Sequence, residues 1–190
     1  MLEQDFTAEI ICTTPEIGGS VALSNTIGID QFLNPFNTLL EGWAHLTTTS
    51  AQSFSVIMRF AFKYRESQPE RVLYAINGTG DVNLFRFGSL GYGNDGQVAL
   101  YDFSILNDAV NYFVPRPLQP STVSDWKLQP LAEWDGTPEG AEQVDFYLRN
   151  DAGERIGLQP VILPGGQRML GLNTAEGEPL TFRFKGIQAG

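Results

Sequence analysis

The chain has 190 residues, a net charge of −10, 13 Phe and 6 Tyr residues, and a charged fraction of 18%. This length and composition are typical of a folded domain with a sizeable core, and they exclude a disordered chain. The cations are nine Arg and three Lys. Because phosphate binding needs a basic patch, the acidic balance predicts no nucleic-acid partner.

The N-terminal part of the chain predicts short strands and no export signal. Residues 1–6, MLEQDF, hold neither a basic nor an apolar stretch, so we expect synthesis in the cytoplasm without a signal peptide. No run approaches the ~20 apolar residues of a membrane helix, and no membrane partner is predicted. Strands are predicted over 6–12 and 21–23, with Cys12, the single cysteine, as a buried thiol.

The charges are distributed unevenly along the sequence. Residues 1–58 contain six acids and no Lys or Arg, and Arg59 is the first of several closely spaced cations. Such a pattern is most often only a solvated face. It also allows the acidic part of one subunit to meet the basic part of a neighbour. Under that interpretation residues 1–50 are expected to form a partly extended arm.

Residues 34–46, NPFNTLLEGWAHL, predict the chain's one short α-helix. Asn34 suits the N-cap and Pro35 the first helical position. The large apolar residues then fall on one side at helical spacing. His45, the only histidine, falls on the opposite, polar side. Since no predicted nucleophile lies near it, no catalytic residue is assigned.

The strongest strand signal is FSVIMRFAFKY, residues 54–64, in which alternate side chains are large and apolar. One face should be buried, and the face carrying Arg59 and Lys63 should reach solvent or a partner. The segment 114–120, VPRPLQP, contains three prolines and predicts an extended crossover or minor boundary. Residues 150–153, NDAG, predict a hairpin turn. Further strands are predicted at 71–76, 82–87, 97–105, 112–114, 121–126, 143–149, 155–163, 168–172 and 180–187.

These elements predict a mainly β fold: a single domain over residues 1–190, built as an antiparallel, jelly-roll-like β-sandwich. Cofactors and metals are not predicted, because one Cys and one His are too few for a zinc site and no glycine-rich phosphate loop is present. Residues 133–139, EWDGTPE, are similar to the clustered carboxylates of β-sandwich glucanases. The third acid is one residue too far, and Gly136 and Pro138 would break the strand. We interpret this segment as a turn and predict no enzyme.

Two functions are consistent with this profile. The first is a structural protein of a symmetric assembly, most concretely a capsid decoration (cement) or tail protein of a bacteriophage virion, with protein partners that include further copies of itself. The alternative is a lectin-like module in which Trp126 and Trp134 are exposed and bind a carbohydrate by stacking.

Overall fold

A computed structural model gives the protein a mostly β structure whose principal antiparallel sheet curls into a half-barrel. Helix is almost absent from the residues that the structure describes. Those residues are 4–24, 44–48, 55–57, 59–62, 71–76, 88–93, 96, 98–102, 120–122, 126–162, 168–172 and 178–189.

The described part of the chain contains fourteen strands and one short helix. The helix is α1 (Pro138–Ala141). The strands are β1 (Phe6–Cys12), β2 (Ser20–Ser24), β3 (Ala44–Thr47), β4 (Ser55–Ile57), β5 (Arg59–Phe62), β6 (Arg71–Ile76), β7 (Gly88–Gly93), β8 (Val98–Asp102), β9 (Pro120–Thr122), β10 (Trp126–Pro130), β11 (Phe146–Arg149), β12 (Ile156–Ile162), β13 (Arg168–Leu172) and β14 (Phe182–Ala189).

The principal sheet has the order β12-β13-β3-β2-β1-β14-β11-β10-β6-β5, with β4 paired to β2. β5 also pairs with β1, so six strands form a closed cycle of pairings, β1-β14-β11-β10-β6-β5. A separate three-stranded sheet has the order β8-β7-β9. The curl of the principal sheet therefore follows directly from its register.

The two terminal strands of the described chain lie side by side at the centre of the principal sheet. Their antiparallel register runs from Phe6 opposite Ala189 to Cys12 opposite Phe182, and it shifts between Thr7 and Glu9. The first of these strands therefore belongs to the folded sheet. Deleting residues 1–30 would remove β1 and β2, so this deletion cannot separate association from folding.

The Arg59 side chain connects three adjacent strands by hydrogen bonds, near the register shift between Thr7 and Glu9. Its Nη2 atom donates to the backbone oxygen of Thr7 at 3.0 Å and also to that of Gly186. β5, β1 and β14 are thereby held by one side chain. Arg59, which the sequence predicts on an outward, cationic face, therefore also links three strands of the sheet by hydrogen bonds.

The interior of the curled sheet is a cluster of aromatic rings. The Phe184 ring lies 5.2 Å from that of Phe6, 4.4 Å from Phe62 and 4.2 Å from Phe146, measured between centroids. Phe6 and Phe62 are stacked at 4.9 Å. In β1 every second residue is buried, as a strand with one core face requires. The large hydrophobic contribution of these rings stabilises the cycle of strands.

The mainly β, antiparallel class is confirmed, and so are the strands predicted over 6–12, 71–76 and 168–172. The observed strand order is that of one curled sheet with a small second sheet, and the sandwich stays a prediction. Predicted strands at 82–87 and 112–114 lie outside the described residues, as does most of the proline-rich segment 114–120.

The helix predicted over 34–46 is wrong at its C-terminal end. Residues 44–46, assigned to the end of the helix, lie in β3, which pairs with β2; residues 34–43 lie outside the described part. The strand predicted over 54–64 is described as β4 and β5, and residues 54, 58, 63 and 64 lie outside the described part. β4 pairs with β2, whereas β5 pairs with β1 and β6. Alternation of apolar residues predicts a strand but not its partner, which tertiary packing decides.

No helix in the described part of the chain is long and apolar enough to cross a membrane.

Candidate interaction surface

Four cationic residues occupy laterally adjacent register positions on neighbouring strands. Lys127 in β10 lies opposite Arg71 in β6 on one side and opposite Arg149 in β11 on the other. Arg149 in turn lies opposite Arg155, which directly precedes β12. We call these four residues the cation row. They make up a third of the 12 cations of the chain.

Two members of the cation row, Lys127 and Arg149, lie on the outer face of the curled sheet. Its strand neighbours Trp126, Leu128 and Leu148 are buried in the core. Lys127 and Arg149 alternate with them and are half-buried. Because successive side chains of a strand point to opposite faces, Lys127 and Arg149 face away from the aromatic core.

One member of the row is held rigidly by its neighbours. The Nε and Nη2 atoms of Arg155 donate to Oε1 of Gln129 at 3.3 and 3.2 Å. Its guanidinium carbon lies 4.5 Å from the centre of the Tyr147 ring, a cation–π contact. Gln129 and Tyr147 are themselves register partners. An arginine fixed in this way loses little conformational freedom when it binds a partner.

Lys127, one member of the row, forms an ion pair with an acid of its own subunit. Lys127 Nζ lies 3.6 Å from Asp151 Oδ1, and these side chains are 27% and 56% exposed. Such an exposed ion pair contributes at most about 1 kcal/mol. Like charges directly opposite each other destabilise a sheet. The register therefore places like charges side by side on this part of the sheet.

Neighbouring charges on the same sheet are balanced. Arg183 Nε donates to Asp145 Oδ1 at 2.8 Å, between the β14 strand and the residue before β11. Glu9 in β1 lies opposite both Arg59 and Lys185. At both places an acid faces a cation across the strands. Within the cation row, in contrast, the register partners are like charges.

The structure places the two tryptophans of the carbohydrate interpretation in different surroundings. Trp126 is completely buried in the core and packs edge-on against Tyr92, with ring centroids 6.1 Å apart. Trp134 is half-buried, and its Nε1 atom donates to the backbone oxygen of Thr137 at 2.9 Å. The expected exposure of Trp126 is wrong, because this side chain fills the core. A stacking platform formed by both rings is therefore not present.

The acidic segment 133–139 is an irregular connection that ends in α1. Thr137 is the N-cap, and its hydroxyl oxygen accepts from the amide of Gly140 at 3.1 Å. Asp135 Oδ1 accepts from both the amide and the hydroxyl of Thr137, at 2.9 and 2.8 Å. The backbone bond from Thr137, followed by the hydroxyl bond, lowers the pKa of Asp135 from its usual 3.8. Asp135 thus takes part in a turn, as the spacing predicts, and residues 133–137 form no strand that could carry the acids at glucanase spacing.

A small apolar cleft lies between this connection and the sheet. It has about 10 Å³ of free volume, which suffices for roughly one water molecule. A sugar ring does not fit into it. Its lining consists of apolar side chains, namely Leu128, Pro130, Trp134, Ala141, Val144, Phe146 and Phe184.

The remaining single residues singled out by the sequence, His45 and Cys12, are buried. His45 is completely buried in β3, opposite Ala22 and Met169, and not on the polar side of a helix. Cys12 is a buried free cysteine, as predicted. Within the described ranges, His, Cys, Asp and Glu side chains form no group of three or more that could hold a metal.

No protein-family model matches this sequence, and the curated proteins include none detectably similar to it. The cation row was missed at the sequence level because its members are dispersed between residues 71 and 155. The alternation in WKLQP and FYLRN does place Lys127 and Arg149 on outward faces. Only the strand register shows that they are neighbours.

Proposed function

We propose that the protein is a non-enzymatic structural subunit of a symmetric assembly, most concretely a capsid decoration (cement) or tail component of a bacteriophage virion. The cation row carries this proposal. It lies on a rigid sheet, beside Tyr147, and Arg and Tyr are residue types enriched where proteins bind each other. The bacteriophage version rests on the class of the fold and on the composition.

The distribution of charge supports self-association in particular. The chain carries a net charge of −10, and its first 58 residues contain six acids without a single Lys or Arg. A cationic surface on such a chain is complementary to the N-terminal part of another copy. Two complementary surfaces join copies either reciprocally in a two-fold dimer or head to tail in a ring or filament, and each of these is a symmetric assembly.

We further propose that the two sheets pack as a jelly-roll-like sandwich. The supporting observation is the edge-on contact of Tyr92, in the three-stranded sheet, with Trp126, in the principal sheet. A crystal structure of the protein tests this arrangement, which requires the three-stranded sheet to cover one face of the curled sheet.

The proposed function is tested by the native mass of the intact protein. We expect sedimentation velocity at moderate salt to show a defined oligomer at micromolar concentrations, with the fraction of oligomer rising with protein concentration. A single chain at every concentration, up to the solubility limit, contradicts self-association.

A further inference from the structure

Strand β14 changes its surroundings at Gly186. The first half of the strand, residues 182–185, pairs with β1 and, at its first residue, with β11. The second half, residues 186–189, pairs only with Phe6 and Thr7 of β1 among the strands that the structure describes. We call residues 186–189 the end segment. The end segment therefore has fewer strand contacts than the first half.

Burial divides β14 at the same place. Both phenylalanines of the first half are buried in the core. In the end segment, Gly186, Gln188 and Ala189 are exposed, and Ile187 is half-buried against the core. Segments with few buried contacts open locally at a lower free-energy cost than the core does. This distribution favours an opening of the end segment in which the first half stays paired.

A β-bulge separates the two halves. At the shift in the β1–β14 register, one residue of β1, Ala8, lies opposite two residues of β14, Gly186 and Ile187. Gly186 has a φ of 65°, which glycine adopts without strain. A bulge disrupts the ladder, and backbone groups that lose their ladder partner need another one. The bulge in β14 therefore needs hydrogen-bond partners from outside the two strands.

Two charged side chains supply these partners. The Gly186 oxygen accepts from Arg59 Nη2, which also donates to Thr7 O at 3.0 Å. The Ile187 amide donates to Glu142 Oε1 at 2.8 Å. Arg59 lies in β5, and Glu142 directly follows α1, so two separate elements hold the end segment. Hydrogen bonds of this kind, with one charged partner, are stronger than those between neutral groups.

We infer that the end segment opens and closes as one unit, separately from the first half of β14, and that Arg59 and Glu142 hold it closed. Opening uncovers the part of β1, Phe6 and Thr7, with which the end segment pairs. An uncovered strand edge is a template for pairing with another chain. The two charged side chains thus protect this edge of β1. The inference is independent of the proposed function, because it concerns a single subunit.

Hydrogen exchange of the Ile187 amide, measured by NMR in the intact protein, tests this inference. The test variant is Arg59→Met. The Ile187 amide donates to Glu142 and not to Arg59, so this substitution leaves the amide's own hydrogen bond in place. If the segment opens as one unit, we expect loss of the Arg59 bonds to accelerate exchange at Ile187 about tenfold or more. Exchange of the amides of residues 182–185 should change less than about twofold.

Arg183→Met is the matched control. Arg183 is a half-buried arginine in the first half of β14, and its Nε atom donates to Asp145 Oδ1 at 2.8 Å. We expect this variant to change exchange at Ile187 less than about twofold. If Arg59→Met does not fold, as far-UV circular dichroism would show, Arg59→Lys carries the same comparison. A lysine ammonium lacks the planar fork with which Arg59 bonds two backbone oxygens.

The outcomes that overturn the inference are distinct. An unchanged exchange rate at Ile187 in the Arg59 variant would show that the contacts of Arg59 and Glu142 act independently. Equal acceleration throughout residues 182–189 would show that β14 opens only as a whole. An acceleration in Arg183→Met as large as that in Arg59→Met would show that the effect is not specific to the end segment. None of these results bears on self-association, which sedimentation velocity tests separately.

Discussion

The ring cluster inside the curled sheet gives a quantitative prediction for Phe184→Leu. Phe184 is 3% exposed and contacts three other rings, those of Phe6, Phe62 and Phe146. Each aromatic pair contributes about 0.5–1.5 kcal/mol beyond the area it buries. Leucine keeps most of the apolar volume and loses all three pairs. Because neighbouring contacts are not additive, we expect the free energy of unfolding to fall by about 2–4 kcal/mol.

Phe182→Leu is the matched control for this prediction. Phe182 lies in the same strand and is completely buried, yet none of the described ring pairs includes it. We expect this variant to lose less than about 1.5 kcal/mol, as is usual when volume is nearly conserved. Urea denaturation followed by far-UV circular dichroism measures both values. Equal losses in the two variants would refute the view that ring pairing at Phe184 holds the cycle of strands together.

Two further predictions concern a turn and an acid. Gly18→Ala and Gly19→Ala both place alanine at positive φ, 61° and 100°, but only at Gly19 would the new Cβ meet an atom, Thr47 O at 2.9 Å. We expect urea denaturation to show that the free energy of unfolding falls by about 1–2 kcal/mol in Gly18→Ala and clearly more in Gly19→Ala. Similar losses in the two variants would contradict the clash with Thr47. The hydrogen bonds from Thr137 lower the pKa of Asp135 below 3.8 in the folded protein. The ionised Asp135 side chain therefore stabilises the fold above pH 3.8, and this stabilisation is lost as the pH falls through the lowered pKa. Asp135→Asn should therefore have a flatter stability profile between about pH 5 and pH 2, and an unchanged profile would show that these bonds do not persist in solution.

Local patterns in the sequence were sufficient to predict the class of the fold. The alternation in FTAEIIC predicts β1. Every second residue from Phe6 to Cys12 is buried, as the pattern requires. NDAG predicts the turn after β11, where the Asn150 amide donates to Glu154 O at 2.9 Å. These features depend on neighbours close in the chain, and short-range chemistry fixes them.

Pairing between distant strands could not be predicted in the same way. β1 and β14 form adjacent strands although they lie at opposite ends of the described chain. The segment AHL was assigned to a helix because its apolar residues continue a helical spacing, yet it lies in β3 between β2 and β13. Tertiary packing overrides local propensity in such short segments.

The candidate surface shows the same limitation. Lys127 and Arg149 each stand at an alternating, outward position of their strands. Their adjacency is a property of the register between β10 and β11. Under the carbohydrate interpretation Trp126 was expected to be exposed, yet it is buried. The sequence shows that this side chain is large and apolar, but it does not show whether the side chain lies in the core or on the surface.

The salt dependence of self-association tests the central claim most directly. Sedimentation velocity of the intact protein, at a fixed micromolar concentration, is measured at low and at high ionic strength. Salt shortens the screening length from about 10 Å at 0.1 M to about 3 Å at 1 M. If the cation row joins the subunits, the protein should be a defined oligomer at low salt and should dissociate as salt is added. A single chain at both salt concentrations, or an oligomer that added salt leaves unchanged, would contradict the account.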